Sequence, residues 1–458
     1  MKITQHLAEF VVGTPSGNIP LEARVQARRA VLDTLGVLLA GTSEECSRIT
    51  AGPAREQGGA EEAFVFGHAF RAPAAEAALV NGTSAHALDF DDVSVSMTGH
   101  PSVPLIPAVL ALGEKLGSGG RDVIDAFVLG FEVECKLGRL IGAPHYALGW
   151  HPTSTFGALG AAAACARLLQ LDAGRTHMAL GIAASLASGV RQNFGSMTKP
   201  LHAGWAARNG IVAATLAGRG LTADAEALEG PGGFLRAASG AAEFDAASLG
   251  HLGDPWEIVS PGIGVKLYPC CYFTHSAIDA ALQVRPSIED HLDAVERVGV
   301  SVSPGTTMVL RKTLPNTGLE SKFSMEYCVA AALTDGAVTL GTFTDDAVAQ
   351  PQVTALMTRV KVMEDRPPAS VSIGGTAVVR AQLDGQTIES PTVEIPRGDP
   401  RNPLSWDELC AKFRDCAATV LSADEIEAVI RLIDNLDDIQ DAGELSRLLV
   451  AGKLIAHR

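Results

Sequence analysis

Apolar residues recur at intervals of three and four over most of the first 255 positions, with small residues between them. That spacing collects apolar side chains on one face of a helix. The first strong segment is LEARVQARRAVLDTLGVLLAG, residues 21–41, with Gly41 as its stop. Segments 73–88, 101–118, 121–142, 152–170, 173–189 and 203–219 keep the same period, punctuated by Gly, Pro and Asp. No strand pattern alternates with them, which argues against a doubly wound sheet.

The pattern changes after about residue 255. A helix is expected after Pro269. The stretch DAVERVGVSVSPG then alternates, with Val298, Val300 and Val302 on one face of a strand. Residues 322–335 return to helical spacing. MTRVKVMED and AVVRAQLDGQTIESPTVEIP alternate again, and Asp384-Gly385 marks a hairpin turn inside the second. PRGDPRNPL reads as a linker, and the tail reads as helices that pack back on the first domain. The expected fold is mainly α with an α+β second domain. A large all-helical domain, residues 1–260 completed by C-terminal helices in 400–458, carries a smaller α+β lid domain, residues 261–399.

The chain has 458 residues, more than one ordinary core, which agrees with two domains. With 47% hydrophobic and 19% charged residues, the composition is that of a globular protein. The net charge of −16 argues against nucleic-acid and anionic-membrane partners. No apolar run has the length of a membrane span, and the start lacks the apolar core of a signal peptide. The 8 cysteines are scattered without zinc spacing, so they read as reduced thiols in a cytoplasmic protein.

Against this acidic background, four cationic or titratable residues sit at or just before prolines that open small-residue segments. They are His100 (before Pro101), His151 (before Pro152), Lys199 (before Pro200) and Lys266 (three before Pro269). Helix N-termini carry unpaired N–H groups and attract anions. Lysine and histidine placed there point to a small substrate with several carboxylates. Both His-Pro pairs are followed by a hydroxyl residue, Ser102 and Thr153. His202 stands close to Lys199 in sequence, and Gly195 and Gly204 permit close backbone approach. Cys271 and His275 follow Lys266, and Tyr327 follows Lys322.

Asp89, Asp91 and Asp92 crowd together after His86. Asp89 is read as the carboxylate that orients a His or Lys, and no metal is expected because the three aspartates do not share one helical face. Two other classes stay open: a metal-dependent helical synthase using these aspartates, and a scaffold without chemistry.

Taken in order, HALDFDD with HPS, GWHPTSTFGALGAAAA, MTKPLHAGWAARNG, KLYPCCYFTH, ESKFSMEYCVAAALTDG and IPRGDPRNPLS resemble the MmgE/PrpD family over most of the chain. The resemblance implies a helical domain closed on an α+β domain, a homodimer, and catalysis without metal or organic cofactor. It implies a pocket holding Asp89, His100, His151, Lys199, Lys266 and Tyr327. The expected chemistry is proton transfer α to a carboxylate of a small di- or tricarboxylate, 2-methylcitrate dehydratase-like, with iminodisuccinate-type epimerisation or cis-aconitate-type decarboxylation as alternatives. Val93 stands where many members have threonine, and Cys271 where the decarboxylase branch has histidine. GAPHYALGWHPTST looks closer to the epimerase branch and adds Tyr146. His100, His151, Lys199 and Tyr327 are the expected catalytic residues. Asp89, Lys266, His202, Cys271, His275 and Tyr146 are expected to bind substrate, and which histidine is the base stays open.

Overall fold

The computed structural model describes residues 2–240, 244, 249, 251–310, 314–367 and 374–450. The first half is a stack of helices: α1 (Ile3–Gly13), α2 (Leu21–Gly41), α3 (Glu45–Gln57), α4 (Ala74–His86), α5 (Ser102–Leu116), α6 (Gly120–Ile141), α7 (Ala143–Ala147), α8 (Pro152–Leu168), α9 (Ala173–Leu186), α10 (Thr198–Gly218) and α11 (Phe234–Ser239). A short antiparallel hairpin, β1 (Ala63–Val65) and β2 (Phe70–Ala72), lies between α3 and α4. The period-3.6 reading missed this hairpin because three-residue strands leave no alternation to count.

Helix α10 lies against both α4 and α8, and α8 lies against α6. These contacts are close because small residues face each other. A Cβ at Gly204 of α10 would stand 2.2 Å from the Leu79 carbonyl oxygen of α4, and one at Gly210 would stand 2.4 Å from Ala161 Cβ of α8. The abundant Ala and Gly thus let three backbones pack without intervening side chains. Gly195 differs: nothing lies within 4 Å of a Cβ there, and its φ of +83° is what requires glycine.

The second half forms α12 (His275–Val284), β3 (Val295–Val302), α13 (Gly318–Ser321), α14 (Met325–Asp335), α15 (Asp345–Val348), α16 (Pro351–Met357), β4 (Val360–Met363), β5 (Ala377–Leu383) and β6 (Gln386–Glu389). The sheet order is β4-β3-β5-β6, with β3 and β4 parallel and the other pairs antiparallel. Val298, Val300 and Val302 are all buried. Asp384 and Gly385 make the β5–β6 turn with φ of +50° and +75°, as a two-residue hairpin loop demands. Helices α12 and α14 cover the sheet.

Two hydrophobic cores result. One gathers residues from Ile3 to Val265 together with Leu404 to Val450, and the other gathers Tyr268 to Val393. The C-terminal helices α17 (Trp406–Ala417), α18 (Ala423–Asp434) and α19 (Gly443–Leu448) belong to the first core, with α17 packed on α2. Residues 451–458 of the expected C-terminal extension lie outside the described residues.

Two readings are corrected. Pro269 does not open a helix. The backbone N–H of Cys271 donates to the Lys322 carbonyl (2.9 Å), a single 3₁₀ turn follows, and α12 begins at His275. PRGDPRNPL is no loose linker. Gly398 N–H bonds the Asn402 carbonyl at 2.9 Å, and the Gly398 carbonyl accepts from Val265 N–H at 2.8 Å. That bond props the extended segment that carries Lys266.

Gly204→Ala is expected to lower stability by about 1–3 kcal/mol, because overpacking forces α4 and α10 apart. Gly13→Ala, with open space around it, is expected to be near neutral. Urea unfolding of both variants checks the difference, and equal stabilities would contradict it.

Candidate active site

Helix α4 ends at His86, and the chain then turns back on itself through Asp89, whose φ is +52°. Few non-glycine residues adopt this left-handed conformation, and aspartate is among the more tolerant. Asp89 Oδ1 accepts from Lys199 Nζ at 2.7 Å and from Lys266 Nζ at 2.9 Å. Lys266 also donates to the Asp89 carbonyl (2.8 Å). The carbonyls on either side are held in the same way. Leu88 O accepts from Lys322 Nζ at 2.7 Å, and Phe90 O accepts from Lys412 Nζ at 2.8 Å. Three consecutive carbonyls therefore each receive a different lysine, and a fourth lysine, Lys199, holds the Asp89 side chain.

The three aspartates divide the work. Asp91 Oδ2 lies 2.9 Å from both His86 Nδ1 and His100 Nδ1. Asp92 accepts from the backbone N–H of Ser102 (3.2 Å) and from its hydroxyl. The hydroxyl of the second His-Pro motif has a matching role, since Thr153 Oγ1 accepts from the His100 backbone N–H at 3.0 Å. The residue after each His-Pro thus fixes the loop that carries His100.

Charge follows from these contacts. Burial pushes the Asp89 carboxyl up, but Lys199, Lys266 and His100 overcome it and hold it well below the usual range. Burial pushes Asp91 up too, and the imidazoles of His100 and His86 hold it well below. Asp92 has no cation; burial and the nearby Asp33 carboxyl push it well above the usual range, so it is a neutral acid. Burial alone would lower Lys266, but Asp89 and Asp91 raise it, so it stays an ammonium. Burial lowers Lys322 to about 8, with Asp89 opposing.

Burial lowers each of the four histidines around Asp91 and Lys199. Burial drives His151 well below 6.5, and His202, His86, Lys199 and His100 push the same way. His151 Nδ1 is 3.0 Å from His202 Nδ1, which leaves Nε2 for the cavity. His202 falls to about 4 by burial and the Lys199 charge. His86 falls to about 3 for the same two reasons, against the pull of Asp91. His100 is lowered by burial, while Asp91 supports its charged form.

Asp89, His100, His151, Lys199, Lys266, Cys271 and Tyr146 all border one cavity of about 40 Å³ between the two cores. Phe194 and Phe323 complete its wall, each ring about 5.5 Å from Lys199 Nζ. Such faces favour a cation. Burial pushes the Cys271 thiol up to about 12, so it is neutral. A much larger cleft of about 680 Å³ adjoins and shares Thr98, Tyr146 and Phe273 with the cavity.

Three expected residues stand elsewhere. His202 sits behind His151 as its hydrogen-bond partner. His275 packs between the rings of Tyr268 and Tyr272, with Nε2 3.4 Å from the Cys270 carbonyl. Tyr327 is a correction: it is buried in the second core and its hydroxyl donates to the Thr342 carbonyl, so it does not border the cavity. The sequence reading placed it by motif, and α14 turns that face toward the sheet domain. Lys412, Phe194, Phe323 and Arg191 were missed. They come from three separate segments, since Arg191 and Phe194 share one turn, and only folding brings them near the site.

His86, Asp89, Asp91 and His100 offer ligand atoms within 4.8 Å of one another. Those atoms are largely spent on one another and on two ammonium groups, which compete with any divalent cation. The donor set therefore fits an ion-pair network better than a metal centre.

A cavity holding imidazoles of lowered pKa beside ammonium groups equips an enzyme for proton transfer on an anion. Comparison with known proteins specifies the class. Models of the MmgE/PrpD N-terminal domain and the MmgE/PrpD C-terminal domain match residues 5–247 and 268–438. Human cis-aconitate decarboxylase is 31% identical over 470 residues, covering 98% of this chain and 94% of that protein. The mouse protein of the same name is 31% identical over 467 residues, covering 98% and 93%. Cis-aconitate decarboxylase of Aspergillus terreus is 27% identical over 476 residues, covering 98% and 96%. The chain belongs to the MmgE/PrpD family and is an enzyme of that type. Among the described residues no helix is long and apolar enough to cross a membrane.

If the His86–Asp91 network is held by hydrogen bonds among its own members, calorimetric titration of EDTA-treated protein with Zn²⁺ will show no tight stoichiometric site. A tight site abolished by His86→Ala would contradict this account.

Proposed function

We propose that the chain is a cofactor-free lyase or isomerase that moves a proton at a carbon α to a carboxylate of a small di- or tricarboxylate, with dehydration of the 2-methylcitrate type as the leading assignment. The observation that carries this is the meeting of Lys199 and Lys266 at one carboxylate oxygen, beside His151 and His100, in one cavity.

In this reading a substrate carboxylate lies against the two ammonium groups. His151 Nε2 removes the α proton. Its Nδ1–H then donates to His202 Nδ1, which steadies the imidazolium that forms. Charge moving into the substrate carboxylate, as an enediolate-like species, is stabilised by the lysines already in place. For dehydration, the C–H electron pair becomes the new double bond as the C–O bond breaks. In the imidazolium form, which Asp91 supports against burial, His100 gives the leaving hydroxyl its proton and water departs. At about 40 Å³ the cavity is smaller than a tricarboxylate, so in this reading substrate enters from the adjoining cleft past Tyr146 and Phe273.

Decarboxylation is the second reading, favoured by the names of the relatives. The neutral Cys271 argues against it, because a thiol held this high is a poor replacement for an imidazole acid.

His151→Ala and His100→Ala are each expected to lower turnover by about 10² or more with the fold intact. In the wild type, the acid limb of kcat/KM should lie below 6.5, because His151 keeps its free base past the ordinary histidine value. Incubation with citrate-, aconitate- and aminosuccinate-like acids in D₂O, read by NMR, checks all three points. Near-normal rates in both variants, or no solvent deuterium at any α carbon, would overturn the assignment.

A further inference from the structure

Arg191 is 7% exposed, and its Nε and Nη1 are buried with no hydrogen-bond partner. Among the described residues no carboxylate pairs with it. Its guanidinium lies 3.9 Å from the centroid of the Tyr146 ring and reaches the Tyr146 hydroxyl. A buried cation without a counter-ion is costly, and native structures keep such groups where something else completes them.

The position is fixed by the backbone. Arg191 N–H donates to the Gly149 carbonyl at 2.8 Å, and His151 N–H donates to the Gly189 carbonyl at 3.0 Å. Trp150 and Val190 form a bridge between these bonds. Residues 189–191 are therefore strapped to the segment that carries His151, so Arg191 and His151 keep a set relation. Tyr146, over whose ring the guanidinium lies, borders both the cavity and the cleft.

We propose that Arg191 is a second anion subsite, which takes a carboxylate of the substrate distinct from the one held by Lys199 and Lys266. The inference rests on the polycarboxylate reading above and sharpens it: the substrate carries at least two carboxylates, spaced to reach from the lysine pair to the far side of Tyr146. Tyr146 moves as substrate enters, and its hydroxyl turns from the guanidinium to the ligand. The free Nε–H and Nη1–H can each donate to a carboxylate oxygen, with the fixed planar direction that a lysine ammonium lacks.

The test is an NMR titration of wild type, Arg191→Gln and Arg191→Lys with tricarballylate, which has three carboxylates, and with butyrate, which has one. Arg191→Gln is expected to weaken tricarballylate about tenfold or more and to leave butyrate unchanged, with Arg191→Lys between. Equal weakening of both acids would show that Arg191 only supports Tyr146, and unchanged tricarballylate affinity would show that no carboxylate reaches it. Either result overturns the subsite while leaving the enzyme assignment standing. Absence of any tricarballylate binding to the wild type would overturn the polycarboxylate reading itself.

Discussion

The geometry of the site depends on how the turn after α4 is held. Residues 88–90 expose three successive carbonyls to the interior, and each is met by a lysine: Lys322 at Leu88, Lys266 at Asp89 and Lys412 at Phe90. A turn with a left-handed aspartate and inward-facing carbonyls would not persist on its own backbone preferences. Charge-assisted hydrogen bonds hold it, and they come from both cores. Lys412 sits on α17 of the first core, while Lys322 caps the end of α13, three residues before α14 of the second. Lys412 also bonds the Lys266 carbonyl at 2.9 Å, so the clamp ties the ammonium groups to one another. Asp89 is consequently fixed where Lys199 and Lys266 must point, and the two domains are joined at the place where chemistry occurs.

The same arrangement explains how an acidic protein holds an anion. Its net charge is −16, yet among the described residues two lysines, Lys199 and Lys266, line the cavity against one carboxylate, Asp89. Asp92, close by in sequence, is removed from the count by burial and by Asp33. The positive surplus also keeps His151 neutral. Burial is the main cause, and the neighbouring cation and imidazoles add to it. Under the proposed function, one set of charges would serve both to attract the substrate and to lower the pKa of the base.

Much of this was legible in the chain. The 3.6-residue period located the long helices, and residues 21–41 fell on α2 without adjustment. Alternation and Asp384-Gly385 located the sheet and its hairpin. His100, His151, Lys199 and Lys266 stood out because cations beside prolines are unusual in an acidic, small-residue sequence, and they do converge. The stated cause was partly different. Pro152 opens α8 directly after His151, but Lys199 lies inside the first turn of α10, and Lys266 arrives on an extended segment bonded to Gly398. Lys412 and Arg191 could not be found, because their meaning lies in partners hundreds of residues away or in the absence of one. Tyr327 shows the reverse error: a residue carried over by motif that the packing of α14 directs into a core.

The clamp can be tested without touching the cavity. Lys412 pairs with buried Asp33 at 2.6 Å, so replacing both, as Asp33→Leu with Lys412→Met, removes the charges together and avoids leaving one unpaired. The direct measurement is the turnover of this double variant, at verified stability, on an acid that the wild type converts. The account predicts a loss of about tenfold or more, since small misplacements of catalytic groups are expensive. Wild-type turnover would show that the turn at Asp89 keeps its geometry without the lysine on Phe90, and the clamp would not be what organises the site.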